Sequence, residues 1–325
     1  MIFSLFHRPG TVVFLDDDGD YLEMLGVVLP RQWHVKLFLR AAECINYLQQ
    51  ESPFWEADAW NQQELIDHWR AGKPLIPQIL GYWSKYTERY ALTRVCVVDF
   101  SMPAMDGLQT LAELVDWPGS RVLLTGQADE QVAVRAFNRG LIDQFIAKQA
   151  PDISRRLIDA VEHLLATPDA RHAQTWRATL SLEQHALLRV PSVSRDLTKF
   201  AAKRWIEHVV IGAPFGVLGI NASGLVSWLQ LETTEGLKAL AELAELAGLS
   251  PAGLQDIRQG RKLADLELRQ AIGCAEPPEL TPAFPIGQGQ SLLGGIFNVA
   301  SALCPDPANG YSNWLARQEK RSVQG

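Results

Sequence analysis

The sequence has no excess of positive charge, no long apolar run and few cysteines, and each of these lacks removes a class of protein. Its net charge is -7 at pH 7, and no Lys/Arg-rich tract occurs. Phosphate backbones are held mainly by Lys and Arg, so nucleic acid is not the expected partner. No uninterrupted apolar stretch reaches the ~18 residues of a membrane span, so no membrane association is expected. The opening MIFSLFHRPG has no basic leader, long apolar segment or small-residue cleavage site, and is not read as a signal peptide. The four cysteines, Cys44, Cys96, Cys274 and Cys304, are scattered without metal-ligand spacing. Reduced thiols in a cytoplasmic protein are the expectation. Internal repeats and low-complexity tracts are also lacking.

What is present is an ordinary globular balance, 47% apolar and 21% charged, in 325 residues, enough for two domains. Short apolar, β-branched runs at 11–15, 34–39, 94–99, 121–125 and 144–148 read as strands. Helical patterns at 20–29, 41–49, 107–115, 128–139 and 152–166 separate them. Strands alternating with helices predict a five-stranded parallel sheet covered on both faces. Residues 50–93 interrupt the alternation with an aromatic-rich insertion, read as helices at 61–70 and 77–90. Tyr82, Tyr86 and Tyr90 recur every four residues and would share a face. The insertion is either a helical addition packed on the α/β domain or a docking surface.

The chemistry gathers at the strand ends, where ligands bind in such sheets. Asp16 and Asp17 follow the first strand, Asp99 ends the third, Thr125 the fourth and Lys148 the fifth. Three converging carboxylates repel one another unless a cation joins them, and oxygen-only ligation suits Mg²⁺. A carboxylate is also a competent nucleophile toward phosphorus. Lys148 would supply fixed positive charge and Thr125 a hydroxyl donor, as phosphoryl transfer requires.

The segments VVFLDDDGDYLEML (12–25), VCVVDFSMPAMDGL (95–108), VLLTG (122–126) and GLIDQFIAK (140–148) resemble the receiver domains of two-component response regulators. The resemblance covers about 1–49 and 94–166. It implies a CheY-like, flavodoxin-like fold and a phosphoacceptor at Asp99. It further implies that Asp16, Asp17, Asp99 and the Ser101 backbone carbonyl bind Mg²⁺, and that Thr125 and Lys148 hold the phosphoryl oxygens. Phe145 matches the aromatic that reports the phosphorylated state, or is a plain packing residue. Ser101 and Gln127 match the two positions that place water for dephosphorylation. The pattern departs at Gln149, where the family usually has proline, and in the separation of Asp17 from Asp99, roughly twice the usual.

The resemblance divides the chain into a receiver over 1–166, a helical linker over 167–207 and an α+β domain over 208–325. The linker would pair with its copy in a homodimer or pack within its own chain. The third part reads as a hairpin at 217–229, helices over 235–272 and a second hairpin at 283–299, a pattern that resembles PAS-like sensory domains. It would bind a small ligand or a protein. His208, at its start, is read as structural. Residues 240–262 also resemble a repressor-type helix-turn-helix, which would make the chain a DNA-binding regulator. Against this, the five basic residues between 236 and 271 are matched by five acidic ones. A scaffold that is never phosphorylated is the third alternative. No enzymatic output motif occurs, so activity is limited to self-phosphorylation from a phosphodonor and autodephosphorylation. A histidine kinase or phosphotransfer protein is the implied donor.

Overall fold

The computed structural model describes residues 2–126, 130–167, 170–289, 291–318, 321 and 323–324. It has two compact units. One comprises Pro9–Trp60, Glu88–Asp169 and Leu315–Gly325, and the other Met1–Arg8, Asn61–Thr87 and Ala170–Trp314. In chain order the strands are β1 (Phe6–His7), β2 (Thr11–Leu15), β3 (His34–Phe38), β4 (Thr93–Asp99), β5 (Ser120–Thr125), β6 (Gln144–Ala147) and β7 (Glu207–Gly212). They continue as β8 (Phe215–Ile220), β9 (Val226–Thr233), β10 (Lys262–Ala264), β11 (Leu280–Pro282), β12 (Phe284–Ile286), β13 (Leu292–Asn298) and β14 (Val323–Gln324).

The first unit is built on a parallel sheet of order β14-β3-β2-β4-β5-β6. The middles of its central strands, Val12–Leu15, Val95–Val98 and Val122–Leu124, are continuously apolar because both faces are covered. Val12, Phe14, Val95 and Val97 pack against Leu22 and Leu25 of helix Gly19–Val28, and against Leu157 and Val161 of helix Ile153–Ala166. The alternate positions Val13, Leu15, Cys96 and Val98 meet Cys44 and Leu48 of helix Ala41–Gln50, with Leu111 and Ala133 from two further helices. The period of two along the strand thus divides one apolar run between two cores.

Five strands are expected and six are found. The sixth, β14, has two residues, too few to carry a periodicity. It forms the sheet edge, held by pairing to β3 and by Arg321. The Arg321 guanidinium donates to the carbonyls of Gly26, Leu29, Pro30 and Trp33 at 3.1, 2.9, 2.5 and 3.0 Å. These include carbonyls left open where helix Gly19–Val28 ends. Arg321→Ala is expected to lower stability by about 2 kcal/mol, the worth of charged hydrogen bonds that leave carbonyls unpaired. A urea melt with an unchanged m-value checks this.

The second unit holds an antiparallel sheet of order β1-β7-β8-β9-β13-β12 and a small β10-β11 ribbon. Both expected hairpins form. The β8–β9 turn closes where Asn221 Oδ1 accepts from the Ser223 and Leu225 amides at 3.0 and 2.9 Å. Val210, Val217, Leu229 and Leu292 pack on Val193, Leu197 and Ala201, while Val209, Ile211, Leu218 and Trp228 pack on Ala241, Ala244 and Ile257. Strands β1 and β7 extend this sheet beyond the expected plan. His208 lies within β7, its ring stacked on Phe3 at 5.1 Å with Nε2 3.1 Å from the Ser4 carbonyl. Burial lowers its pKa to about 4, so the ring is neutral at physiological pH.

Two expected boundaries differ. Residues 50–93 form helices Ser52–Arg70 and Leu75–Lys85 and a 3-10 turn at Thr87–Tyr90. The helix stops at Tyr86, so Tyr90 leaves the face shared by Tyr82 and Tyr86. Ile66, Ile76, Ile79, Leu80 and Trp83 belong to the core of the antiparallel unit, so the insertion is not simply an addition to the α/β domain. The region read as a linker is three helices, Ala170–Arg177, Leu182–Leu188 and Pro191–Arg204. A capping box at Ser181 and Pro191 at a helix start divide it. Trp176, Leu188, Val193 and Leu197 are buried within the antiparallel unit, which gives the segment intrachain packing. No helix among the described residues is long and apolar enough to cross a membrane.

Candidate functional site

Parallel registry sets the site. Leu15 pairs with Val98, Asp99 with Leu124 and Thr125 with Ala147, so β2, β4, β5 and β6 end at one edge. Asp16 and Asp17 follow β2, Asp99 closes β4, Thr125 closes β5 and Lys148 follows β6. One oxygen from each of Asp16, Asp17 and Asp99 lies within 4.8 Å of the others. Asp16 and Asp99 are buried, and Asp17 is exposed. Lys148 Nζ is 2.6 Å from Asp16 Oδ2 and 2.9 Å from Asp99 Oδ1. Three oxygens converging with one side open to solvent are a donor set that fits Mg²⁺.

Electrostatics follow from this packing. Burial pushes the Asp16 carboxyl above its ordinary pKa. Lys148, the Asp18 amide at 3.1 Å and the nearby Asp99 charge modify that shift without reversing it. Burial alone would lower Lys148, but its hydrogen bonds to Asp16 and Asp99 outweigh this and raise it. The ammonium therefore stays charged across the physiological range.

The loop after Asp99 is fixed by its own sequence. Ala104 takes a left-handed conformation at φ 69°. Asp106 then caps helix Gly107–Ala112 in a capping box with Gln109. A Cβ on Gly107 would lie 2.2 Å from the Asp99 carbonyl oxygen, so this helix start can approach β4 only without a side chain. Gly107→Ala is expected to cost about 1–3 kcal/mol, as overpacking does, by displacing the Asp99 backbone. Denaturant unfolding of the variant measures it.

The other candidates fall as follows. Thr125 is buried at the strand end. Ser101 is exposed two residues past Asp99, and Phe145 is half-buried on β6 against the Cys44-side core. Gln127 lies outside the described residues. Gln149 is exposed, and the Lys148 amide donates to the Thr125 carbonyl at 2.9 Å. Two contributors were not anticipated. Asp18 caps helix Gly19–Val28 through the Tyr21 amide and presents its own amide to Asp16. An aspartate just before an apolar helix is a readable cap signal. The Tyr21 ring lies 4.9 Å from Lys148 Nζ, a cation–π contact no sequence spacing announces.

No family model matches the chain. No curated protein matches it either. Among solved structures, the response regulator LqsR of Legionella pneumophila is similar at a TM-score of 0.71 and 20% identity, with 98% of each chain covered. The two chains share one fold over nearly their full lengths. Matches to part of the chain include receiver domains. One is a response regulator receiver domain protein from Clostridium thermocellum, with 16% identity, TM-score 0.32, and 48% of this chain and 94% of that chain covered. Another is FixJ-N, with 20% identity, TM-score 0.33, and coverage of 50% and 98%. In the fold shared with that full-length structure, the six-stranded parallel unit carries the carboxylate site and the antiparallel sheet belongs to the second unit.

Proposed function

We propose that the chain is a response regulator of a His-Asp phosphorelay, phosphorylated on Asp99. The observation that carries this reading is the placement of Lys148 Nζ within 2.9 Å of Asp99 and 2.6 Å of Asp16, beside the exposed Asp17. An Asp99 oxygen attacks the phosphorus of a phosphohistidine or a small acyl phosphate. The new bond is Asp99 O–P, and the bond to the donor nitrogen or oxygen breaks, its electron pair leaving with the donor. Asp16, Asp17, Asp99 and the Ser101 carbonyl would hold Mg²⁺, which neutralises phosphoryl charge when bound. Lys148 and Thr125 bind the transferred oxygens. Phe145 relays the phosphorylated state, and Ser101 and Gln127 place the water that hydrolyses the acyl phosphate. The donor is a histidine kinase or phosphotransfer protein, the active form a homodimer, and the compartment the cytoplasm.

The output is read as a non-enzymatic, PAS-like module that binds a ligand or a protein. An antiparallel sheet flanked by helices, with a cavity against it, supports this. The helix-turn-helix alternative is disfavoured by its own charges. Arg258 pairs with Glu245 at 3.3 Å, and Arg261 and Lys262 pair with Asp256 at 2.5 and 2.9 Å, so little positive charge faces outward. Intact mass of wild type and Asp99→Ala after incubation with acetyl phosphate and Mg²⁺ tests the phosphorylation. Wild type should gain one phosphoryl group and the variant none. No gain by wild type would leave the unphosphorylated scaffold. Specific DNA retardation at low salt would replace the output reading.

A further inference from the structure

The antiparallel unit contains a cavity of about 690 Å³, within the size range of small-molecule sites. Its walls come from the Trp69–Ile76 segment, helix Leu182–Leu188, the β7–β8 turn, the end of β9 and helix Leu266–Ile272, all within that one unit. One part of the lining is apolar and aromatic, including Trp69, Phe215 and Leu231. The charged groups facing the cavity are Lys73, Glu183, Glu232 and Glu267, so carboxylates outnumber the single ammonium.

We propose that this cavity binds a small organic cation, a protonated amine on an apolar or aromatic body, with Glu232 and Glu267 receiving the ammonium. The proposal rests on reading the unit as a ligand-binding output. Both carboxylates are partly removed from water. Among the described residues, the Glu232 carboxylate accepts only from the Thr233 amide, at 2.9 Å. Glu267 has no hydrogen bond or ion pair among the described residues. Two under-compensated carboxylates beside an apolar wall are costly when the cavity holds only water. An ammonium satisfies both, while its organic body covers Trp69 and Phe215. A bare metal ion would leave those rings unused, and an anion would add to the negative charge.

The electrostatics agree. Burial, aided by the charge of Glu267, raises the Glu232 pKa to about 7 against the pull of the Thr233 amide, and burial raises Glu267 as well. Amine binding should therefore displace a proton from Glu232. Affinity should rise about tenfold from pH 6 to pH 8, over which an alkylamine stays protonated.

Calorimetric titration of the full chain with phenethylamine and tryptamine, beside 3-phenylpropanol and 3-phenylpropionate, tests the inference. The amines should bind more tightly than the alcohol and the acid, with the stated pH dependence. Glu232→Gln and Glu267→Gln should each weaken the amines about tenfold. Thermal melts should show both variants at least as stable as wild type at pH 8, because each loses a desolvated charge. Amines binding no better than the alcohol, or unaffected by either variant, would overturn the proposal. Binding of the alcohol or acid alone would replace the ligand class while leaving the ligand-binding output intact. No binding by any of the four would remove both readings. Phosphoryl uptake at Asp99, measured separately, is independent of all these outcomes.

Discussion

Lys148→Ala is expected to slow phosphoryl uptake from acetyl phosphate about 100-fold, the scale on which one preorganised donor to a charged reacting group acts. Lys148 is the positive group closest to Asp99, and its ammonium is already aimed by two carboxylates before any donor arrives. The variant should also unfold more readily without Mg²⁺. Removing one partner of a buried ion pair leaves the other uncompensated, at about 3–5 kcal/mol for full burial. Lys148 is 28% exposed, so water recovers part of this and about 2 kcal/mol is expected. Because the folded-state pKa of Lys148 is raised, its stabilisation is complete at neutral pH. It is lost only as pH rises through that raised value. Stopped-flow fluorescence or timed mass measurement gives the rate, and urea melts at pH 7 give the stability. A rate within a few-fold of wild type would remove Lys148 from the transfer step.

Replacing the acidic pair, Asp16→Asn with Asp17→Asn, should abolish the Mg²⁺ dependence of phosphoryl uptake and reduce uptake itself at least 100-fold. Two of the three converging oxygens would be amides, too weak as ligands to hold a hard cation. Stability without metal should move the other way. The raised Asp16 pKa means the folded state holds that proton more tightly than the unfolded chain. Its ionisation therefore costs stability as pH rises through the carboxylate range, and the cost is fully present at neutral pH. The variant should be as stable as wild type or more so in EDTA, and should lose the stabilisation that Mg²⁺ gives wild type. Melts with and without Mg²⁺, beside uptake measurements, separate the two effects. A variant that keeps its Mg²⁺ response would place the metal elsewhere.

The parallel unit was largely legible because its signals are local and dense. Runs such as VCVV are buried on both faces, so every residue is apolar, and each is followed by a polar group at the sheet edge. Once the strands are parallel and in register, Asp16, Asp17, Asp99 and Lys148 converge, and Thr125 falls at the end of the neighbouring strand, without further information. The unreadable parts depend on distant segments. β14 is two residues held by Arg321 and by strand β3 nearly 300 positions earlier, and β1 is two residues pairing with β7. The strand EHVVIG begins three residues after helix Pro191–Arg204 ends, with no glycine or proline between them to mark its start. The aromatics of the 50–93 stretch announce burial without naming the core, and Trp83 and Ile79 proved to belong to the antiparallel unit. The Lys148–Tyr21 contact is likewise a product of a strand end and a helix start meeting in space.

The most direct test is the position of the phosphoryl group. Wild-type protein treated with acetyl phosphate and Mg²⁺, then with borohydride, converts an aspartyl phosphate to homoserine, which peptide mass spectrometry locates. The predicted result is homoserine at position 99 alone, absent without Mg²⁺. Conversion at another aspartate, or none at position 99 under conditions that load a control receiver domain, would contradict the account.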